Sequence, residues 1–298
     1  MTHDDEISLS APAVTRLVAS QFPEWTDLPI RRISSSGTVN AIFRIGDDLA
    51  ARFPLRLRDP ESVRQTLEIE AEASAEFARH SPFAGPTPVA IGEPGEGYPM
   101  PWSIQSWLSG TVAEGEADAG STSLALDLAT LIVALRRADA AGRSFERGWR
   151  GGELRNHDAW VQECLQKSED VLEVPRLAAL WSSFLELPRT SLDVMSHGDL
   201  TPSNVLLADG RLTGVLDCGG FGPADPALDL IAGWHLLEDG PRAVFREELA
   251  PDDLEWERSK AWAFEQSMGA VWYYAETNVP MSKMGQRTLS RILANTPA

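Results

Sequence analysis

The sequence contains few cysteines. Its 298 residues include only Cys164 and Cys218, too few for the disulfide framework of a small secreted domain. The spacing of Cys and His residues also matches no zinc site. We therefore expect both thiols to be buried as small apolar side chains. A chain of this length can bury a sizeable hydrophobic core without cross-links.

Basic residues are also scarce. The 26 Lys and Arg residues face 44 Asp and Glu residues, and the formal net charge is −18. This balance excludes nucleic acid as a partner, because phosphate backbones bind to basic surfaces. The field of an acidic protein favours cationic ligands. Solubility alone explains the same charge equally well.

Long hydrophobic runs are missing. No apolar stretch approaches the roughly 18 residues of a membrane span, and the longest candidate, Leu124 to Leu135, is interrupted by Asp127. The N-terminal segment MTHDDEISLS carries acidic residues where a signal peptide carries basic ones. We therefore expect a soluble cytoplasmic protein with no membrane partner.

Short strand patterns dominate the first hundred residues. Gly46-Asp47-Asp48 separates two apolar segments and predicts a hairpin turn. Further strands are predicted near 89–91 and 102–107. Apolar residues recur at helical spacing over 60–79, which predicts a helix there. A helix is also predicted over 11–20.

The composition changes near residue 110. Segment 109–123 is polar and small, as in a linker, and apolar residues from Leu124 to Ala138 then recur at helical spacing. Helical patterns continue to the end of the chain, apart from one hairpin near 204–217. We therefore predict an α+β protein with two lobes, formed by residues 1–108 and 109–298.

The most informative segment is SHGDLTPSNVLLADGRLTGVLDCGGFGPADPALDL, residues 196–230. His197 and Asp199 form an H-x-D pattern, and Asn204 follows five positions after the Asp. In the kinase catalytic loop, which this pattern resembles, the Asp accepts the proton of the acceptor hydroxyl and the Asn binds a metal ion. An apolar segment follows, and a second one ends at Asp217.

The turn signal Asp209-Gly210 predicts a hairpin between these apolar segments. A turn centred there pairs residues whose numbers sum to 419, which places Asn204 opposite Val215 and two residues from Asp217. Mg²⁺ prefers hard oxygen ligands such as a carboxylate and an amide, with nucleotide phosphates completing its shell. The spacing therefore predicts a metal site formed by Asn204 and Asp217.

Each of these residues also has a structural explanation. Asp199 and Asn204 can serve as turn residues beside Pro202, and Asp217 can end a strand. His197 is expected to brace the catalytic loop by hydrogen bonds. Two further acidic residues are expected to anchor loops and cap a helix rather than to contact substrate: Asp225 and Asp229.

The segment 197–229 resembles the aminoglycoside phosphotransferase family, and weaker similarity extends over most of the chain. GTVNAIFRIGDDLAARFP and GEGYPMPWSIQSWLSG look closest to a bacterial branch similar to macrolide phosphotransferases. The resemblance implies a protein-kinase-like fold with an antiparallel-sheet nucleotide-binding lobe and a larger helical catalytic lobe. It also implies Mg²⁺-dependent transfer of the γ-phosphoryl group of ATP or GTP to a hydroxyl, often on an antibiotic.

The resemblance assigns further residues to nucleotide binding. The loop SSSGTVN, residues 34–40, lies where kinases have a glycine-rich phosphate loop, so Ser36, Gly37 and Thr38 are expected to donate to phosphate oxygens. Arg52 stands where a kinase has lysine and can clamp phosphate through two nitrogens. Its acidic partner is expected in the following helix at Glu70, with Glu68 as the second choice.

Gln105-Ser106-Trp107-Leu108 resembles the hinge that contacts the purine through its backbone. We expect Ser106 and Leu108 to make these contacts, which leaves the choice between ATP and GTP open.

Most of the aromatic side chains near the C-terminus are expected to be buried in the hydrophobic core. Residues 238–257 add eight carboxylates against two arginines. An aromatic and acidic wall of this kind suits a cationic small-molecule acceptor.

Two rival functions stay open at this point. One is a metabolic kinase acting on an amino alcohol or a sugar, and the other is a nucleotide-binding regulator without catalysis. A protein kinase does not fit, because no A-P-E follows Asp217.

Overall fold

The structure is a computed structural model and describes residues 7–33, 40–113, 117–146 and 150–296. The chain divides into two compact units. The first comprises Met1–Arg79, Ala84–Ser109 and Asp217–Gly219, and the second comprises His80–Phe83, Gly110–Leu216 and Gly220–Ala298. The division of roles into a nucleotide-binding lobe, 1–108, and a catalytic lobe, 109–298, stays a prediction.

The first unit contains a five-stranded antiparallel sheet in the order β1-β2-β3-β5-β4. Two helices accompany the sheet. The predicted strands, helices and hairpin turn at 46–48 are confirmed, since Ile45 pairs with Leu49 across that turn. The elements are α1 Ala11–Gln21, β1 Ile30–Ile33, β2 Asn40–Ile45, β3 Leu49–Pro54, α2 Pro60–His80, β4 Pro88–Gly92 and β5 Trp102–Ser106.

Aromatic packing holds the core of the first unit together. Alternate residues of β2 are buried, as expected for a strand with one face on a core. Phe53 stacks on Trp102 with ring centroids 4.6 Å apart, and it meets Phe43 and Tyr98 edge to face. Such pairs stabilise a core beyond the area they bury, so β3, which carries Arg52, has a rigid position in the sheet.

The second unit is mainly helical, which confirms the α+β fold class. Its strands β6, β7 and β10 were not predicted, because strands of two or three residues show no alternation that a sequence pattern can reveal. The helices are α3 Thr122–Arg136, α4 Asp158–Lys167, α5 Val174–Phe184, α6 Ile231–Leu236, α7 Asp239–Leu249, α8 Asp253–Tyr273 and α9 Val279–Ala294. The strands are β6 Thr111–Val112, β7 Val194–Ser196, β8 Val205–Ala208, β9 Arg211–Val215 and β10 Gly222–Ala224.

Helix α8 runs through the core of the second unit. Fourteen of its residues are buried, including Trp256 and Trp262. It begins at the N-cap Asp252, whose side chain accepts a hydrogen bond from the Glu255 N–H at 2.7 Å. A helix buried on most of its faces offers a stiff support for the side chains that it directs at the catalytic loop.

Asp127, which interrupts the apolar run of α3, fixes the position of the β8–β9 hairpin. The carboxylate is buried, and it accepts hydrogen bonds from Arg211 Nε and Nη2 at 2.6 Å each and from the Leu212 N–H at 3.1 Å. This bidentate ion pair is the strong geometry for arginine and carboxylate.

Among the described residues, no helix is long and apolar enough to cross a membrane.

Candidate active site

The catalytic loop is held in place by Asp229. Its two carboxylate oxygens accept hydrogen bonds from the main-chain N–H groups of His197 and Gly198, each at 2.9 Å. Gly198 has φ +86°, a left-handed conformation that favours glycine. Asp229 therefore anchors the loop, in line with the role expected for it.

His197 is buried, and both of its ring nitrogens are engaged. Nε2 lies 2.9 Å from the Leu216 carbonyl oxygen and Nδ1 lies 3.3 Å from the Asp199 main-chain nitrogen. A carbonyl only accepts and an N–H only donates, so Nε2 carries the proton and Nδ1 accepts. These contacts brace the loop and leave neither nitrogen available for proton exchange with a substrate.

Asp199 receives three side-chain donors at its two carboxylate oxygens. Oδ1 accepts from Arg150 Nη2 at 3.2 Å and from Gln266 Nε2 at 2.6 Å, and Oδ2 accepts from Asn204 Nδ2 at 2.9 Å. The side chain is still 36% exposed. Asp199 is thus held in one orientation while part of the carboxylate faces solvent, as a group acting on a bound hydroxyl requires.

Arg150 lies between two carboxylates. Besides Asp199, it faces Glu265 on α8, with Nη1 3.7 Å from Oε2. Burial lowers the pKa of Arg150, but the charges of Glu265 and Asp199 and the hydrogen bond to Asp199 outweigh burial, and the net shift is upward. Arg150 is therefore a permanent positive charge beside the candidate base.

Asn204 binds the catalytic loop through its amide nitrogen. Nδ2 donates to the main-chain oxygen of Asp199 at 3.0 Å as well as to Oδ2. Because both partners are acceptors, the amide oxygen Oδ1 points away from Asp199. The amide oxygen is the atom that a hard cation prefers.

The predicted register of the β8–β9 hairpin is confirmed next to the turn, where Leu207 pairs with Leu212 and Ala208 with Arg211, and is wrong by one residue beyond it. Val205 pairs with Val215, and the register shifts between Leu206 and Leu207. A bulge adds one residue to β9, since Leu206 pairs with Gly214 and Leu207 with Leu212. Asn204 therefore stands at the level of Leu216, whose N–H donates to the main-chain oxygen of Asn204 at 2.7 Å. A periodic pattern cannot reveal such an insertion.

In the first unit, Arg52 and Asp217 form an ion pair. Arg52 Nη2 lies 2.9 Å from Asp217 Oδ1, and the Asp217 side chain is 53% exposed. Asp217 has φ +59°, an uncommon conformation for a residue other than glycine and one that clusters at functional sites. The residues expected to contact phosphate and metal, Arg52 and Asp217, thus lie within ion-pair distance of each other.

Glu70 on α2 lines the same cavity as Arg52. This cavity, about 230 Å³ in volume, is also lined by Ser74, Ser103 and Gln105, together with apolar side chains of α2, β4 and β5. A methyl group at Gly219 would lie 2.8 Å from the Glu70 Cβ, so the segment after Asp217 packs on α2 only because it has glycine there. The expected Arg52–Glu70 pair stays a prediction.

The segment expected to form the hinge is fixed by hydrogen bonds. The Ser106 N–H donates to the Thr87 oxygen at 2.8 Å, and Ser106 Oγ accepts from the Thr87 N–H at 2.9 Å. The Trp107 N–H donates to the Asp48 oxygen at 2.7 Å. The purine contacts expected of Ser106 and Leu108 stay a prediction. Ser36, Gly37 and Thr38 lie outside the described residues.

The family follows from a direct comparison. The model of the phosphotransferase enzyme family matches residues 29–262. The chain belongs to the phosphotransferase enzyme family. The matched region contains Arg52, Asp199, Asn204 and Asp217, so the recognition made from the catalytic loop is confirmed.

Similar solved structures share the fold of this family member. An aminoglycoside 2'-phosphotransferase-IIIa in its GDP complex superposes with a TM-score of 0.72 at 18% identity, covering 97% of this chain and 100% of that chain. A macrolide 2'-phosphotransferase from Brachybacterium faecium gives a TM-score of 0.62 at 21% identity, covering 97% and 98%. These matches confirm the protein-kinase-like fold class.

A curated relative matches over a short stretch. An aminoglycoside 3'-phosphotransferase from Escherichia coli is 38% identical over 53 residues, which is 18% of this chain. The match spans only 20% of the length of that relative.

Within the described ranges, no group of three or more His, Cys, Asp and Glu side chains is arranged to hold a metal ion. The half-exposed carboxylate of Asp217 and the outward amide oxygen of Asn204 are nevertheless ligands of the kind that Mg²⁺ takes. This ion usually binds one or two such groups together with substrate phosphates and water.

Asp225 has a structural role. It is buried, and its carboxylate accepts from Arg258 Nη2 at 2.5 Å and Nε at 2.9 Å and from Trp262 Nε1 at 3.0 Å. Arg258 also donates to the main-chain oxygens of Leu187 and Pro188. Asp225 thus anchors its loop to α8, in line with the role expected for it.

The acidic and aromatic wall is less available than the sequence suggests. Trp234, Trp256 and Trp262 are core residues. Four of the eight carboxylates are in salt bridges: Asp239 with Arg242, Asp253 with Arg246, Glu255 with Arg136 and Glu257 with Lys260. Only part of the wall is left to attract an amine.

Sequence reasoning missed Arg150, Gln266 and Glu265. These residues lie 49, 67 and 66 positions from Asp199 in the chain, and no local spacing links them to it. A polar Glu-Gln pair within a helix that is otherwise rich in apolar and aromatic residues was the one available signal.

Proposed function

We propose that this protein transfers the γ-phosphoryl group of ATP or GTP to a hydroxyl of a cationic small molecule, an aminoglycoside or macrolide antibiotic. The observation that carries the proposal is the half-exposed Asp199 carboxylate, fixed by Asn204, Arg150 and Gln266 in a chain of the phosphotransferase family. Phosphoryl transfer demands positioning and charge stabilisation more than covalent catalysis.

Asp199 is the proposed base. Its carboxylate accepts the proton of the acceptor hydroxyl or orients that hydroxyl for attack. Asp229 anchors the loop and His197 braces it, so the Asp199 carboxylate is attached to a fixed backbone. Fixed geometry of this kind contributes through reduced entropy of the reacting groups.

The nucleotide phosphates are assigned to the first unit. Arg52 is proposed to clamp the phosphates, with Glu70 holding Arg52 and with Ser36, Gly37 and Thr38 donating to phosphate oxygens. Mg²⁺ is assigned to Asp217 and Asn204 and neutralises developing phosphate charge when bound. Arg52 and Asp217 form an ion pair with each other, and in the proposed complex Arg52 binds phosphate while Asp217 binds the metal. Ser106 and Leu108 are proposed to contact the purine.

The choice of a cationic acceptor is supported by charge and by relatives. The formal net charge of −18 favours a cationic ligand, and the similar proteins named above are aminoglycoside and macrolide phosphotransferases. We also propose a cytoplasmic location, where ATP and GTP are available.

A screen of acceptors tests the proposal. Consumption of ATP and GTP is measured with Mg²⁺ and a macrolide, an aminoglycoside, an amino alcohol or a sugar, in that order. Turnover with either antibiotic supports the proposal. Turnover with the amino alcohol or the sugar alone replaces it with the metabolic kinase, and nucleotide binding without turnover replaces it with the regulator.

A further inference from the structure

Asp199 is gripped from outside its own loop by two side chains. Arg150 comes from the segment before α4 and Gln266 from α8, and both donate to the same oxygen, Oδ1. Asn204, within the loop, donates a hydrogen bond to the other oxygen, Oδ2. The rotation of the carboxylate is therefore fixed from both sides.

Each outer donor is itself held by a second partner. The side chain of Glu265 is only 4% exposed, and its Oε2 forms an ion pair with Arg150 Nη1 at 3.7 Å. Its Oε1 lies 2.9 Å from His157 Nδ1. Gln266 Oε1 lies 3.1 Å from His235 Nε2, and His235 Nδ1 lies 2.9 Å from Thr288 Oγ1. Second partners of this kind are how a site keeps its reacting group in one geometry.

The amide orientation of Gln266 follows from this chain of contacts. Its nitrogen must face Asp199, because a carboxylate accepts, and its oxygen then faces His235. His235 therefore donates from Nε2 and accepts from Thr288 at Nδ1. Burial lowers the pKa of His235 to about 3. The ring therefore stays neutral, and the donors and acceptors in this series of hydrogen bonds stay as described.

We propose that Arg150 and Gln266 are positioning residues for phosphoryl transfer, which act by fixing the Asp199 carboxylate. The inference rests on the proposed function, since it assigns them a role in the reaction of Asp199. Neither residue is required to touch the substrate.

A second arginine of the same unit provides a contrast. Arg258 is buried with Asp225 and also holds main-chain oxygens of three residues, so its role is structural. Arg150 instead pairs with two carboxylates, one of them the candidate base. Removing Arg150 therefore changes the direction of Asp199, while the buried Glu265 carboxylate keeps its contact with His157 at 2.9 Å.

The first test is structural and needs no acceptor. Crystal structures of the wild-type protein and of the Arg150→Met/Gln266→Leu double variant are compared at the Asp199 side chain. We expect the carboxylate to rotate or to occupy more than one conformer in the variant. A single, unchanged carboxylate orientation would overturn the proposal.

The second test is kinetic, with Mg²⁺, ATP or GTP, and erythromycin or kanamycin as acceptors. A misplacement of about 1 Å costs on the order of 100-fold, so kcat of Arg150→Met and of Gln266→Leu should fall by about 10- to 100-fold. The KM for nucleotide should stay within about threefold, because the loss is confined to the transition state. Arg150→Lys should recover part of kcat.

Arg155→Met is the matched control. Arg155 lies five residues away, and both it and its partner Glu186 are exposed, so kcat should stay at the wild-type value. Equal losses of kcat and of folded protein in Arg150→Met, with no recovery in Arg150→Lys, would contradict a positioning role.

Asp199→Asn, measured in parallel, separates the two proposals. If Asp199→Asn is inactive and Arg150→Met is fully active, the positioning role alone fails. If Asp199→Asn turns over like the wild type, the proposed function of Asp199 fails. If the wild-type protein accepts neither antibiotic, the crystallographic comparison decides the positioning role.

Discussion

Asp225 and Asp199 lie in the same segment and both form ion pairs with arginine, but they differ in exposure and in the geometry of the pair. Asp225 is 2% exposed, and Arg258 holds it through two nitrogens within the core of the second unit. Asp199 is 36% exposed and is held by Arg150 through one nitrogen. A buried carboxylate with all its partners inside the protein joins elements, whereas a fixed carboxylate that still faces solvent is available to a substrate.

Substitution of Asp199 should produce the largest effect. Because general-base catalysis contributes about 10² to 10⁴-fold, Asp199→Asn should lower kcat by at least about 100-fold while nucleotide affinity changes little. The amide preserves the shape of the side chain, so the free energy of unfolding should change little. Steady-state kinetics and nucleotide titration on one preparation measure both. A kcat within a few-fold of wild type would contradict the assignment of Asp199.

Substitution of Arg258 should give the opposite pattern. Arg258→Met leaves the buried Asp225 carboxylate without its cation, and breaking such a pair typically costs about 3–5 kcal/mol. Urea unfolding should detect this loss, while Arg155→Met, which removes an exposed pair, should change stability by less than about 1 kcal/mol. Equal stability of the two variants would mean that burial does not separate the structural from the functional pair.

Asp217, in the first unit, has a more exposed side chain than Asp199, in the second. A ligand at 100 times its Kd stabilises the native state by about 2.7 kcal/mol. Thermal unfolding of the wild-type protein should therefore shift upward with Mg²⁺ plus ATP or GTP. Asp217→Ala should lose the Mg²⁺-dependent part of that shift, and the exposed Asp170→Ala should keep it. An unchanged shift in Asp217→Ala would assign the metal to other residues.

His235 is the buried partner of Gln266, and its protonation should affect stability. Burial lowers the pKa of His235 to about 3 in the folded chain, against about 6.5 for an ordinary histidine. Below pH about 6.5 the unfolded chain therefore binds a proton that the folded chain does not, and stability falls as the pH decreases towards 3. This group contributes a slope of up to about 1.4 kcal/mol per pH unit.

His235→Gln should remove that part of the slope. Urea unfolding of both proteins between pH 4 and 7 measures the difference. Parallel stability profiles would show that His235 takes up its proton in the folded state and that the neutral ring behind Gln266 is assigned wrongly.

Local patterns in the sequence predicted most of the elements. Helix α2, the β2–β3 hairpin and the strand that carries Arg52 all follow from spacing and turn chemistry. The family resemblance of His197, Asp199 and Asn204 was sufficient to identify the phosphotransferase family. These features depend on residues close together in the chain.

Features that depend on distant contacts or on irregular backbone were not predicted. The bulge in β9 moved Asn204 to the level of Leu216, since one extra residue in a strand leaves its apolar character unchanged. Arg150 and Gln266 reach Asp199 through tertiary packing alone. The pairing of Arg52 with Asp217 likewise could not be predicted from local sequence. Glu70 on α2, the helix after β3, is a carboxylate that suited Arg52 equally well as a partner.

In the proposed reaction, the chain moves a phosphoryl group from a nucleotide to a hydroxyl with Asp199 as the base. The most direct test supplies ATP or GTP labelled with ¹⁸O in the γ-phosphoryl group, Mg²⁺ and erythromycin or kanamycin, and determines the mass of the acceptor. We predict an acceptor heavier by one labelled phosphoryl group with the wild-type protein and, in the same time, almost none with Asp199→Asn. An unlabelled acceptor despite nucleotide consumption, or equal labelling by both proteins, would contradict the account.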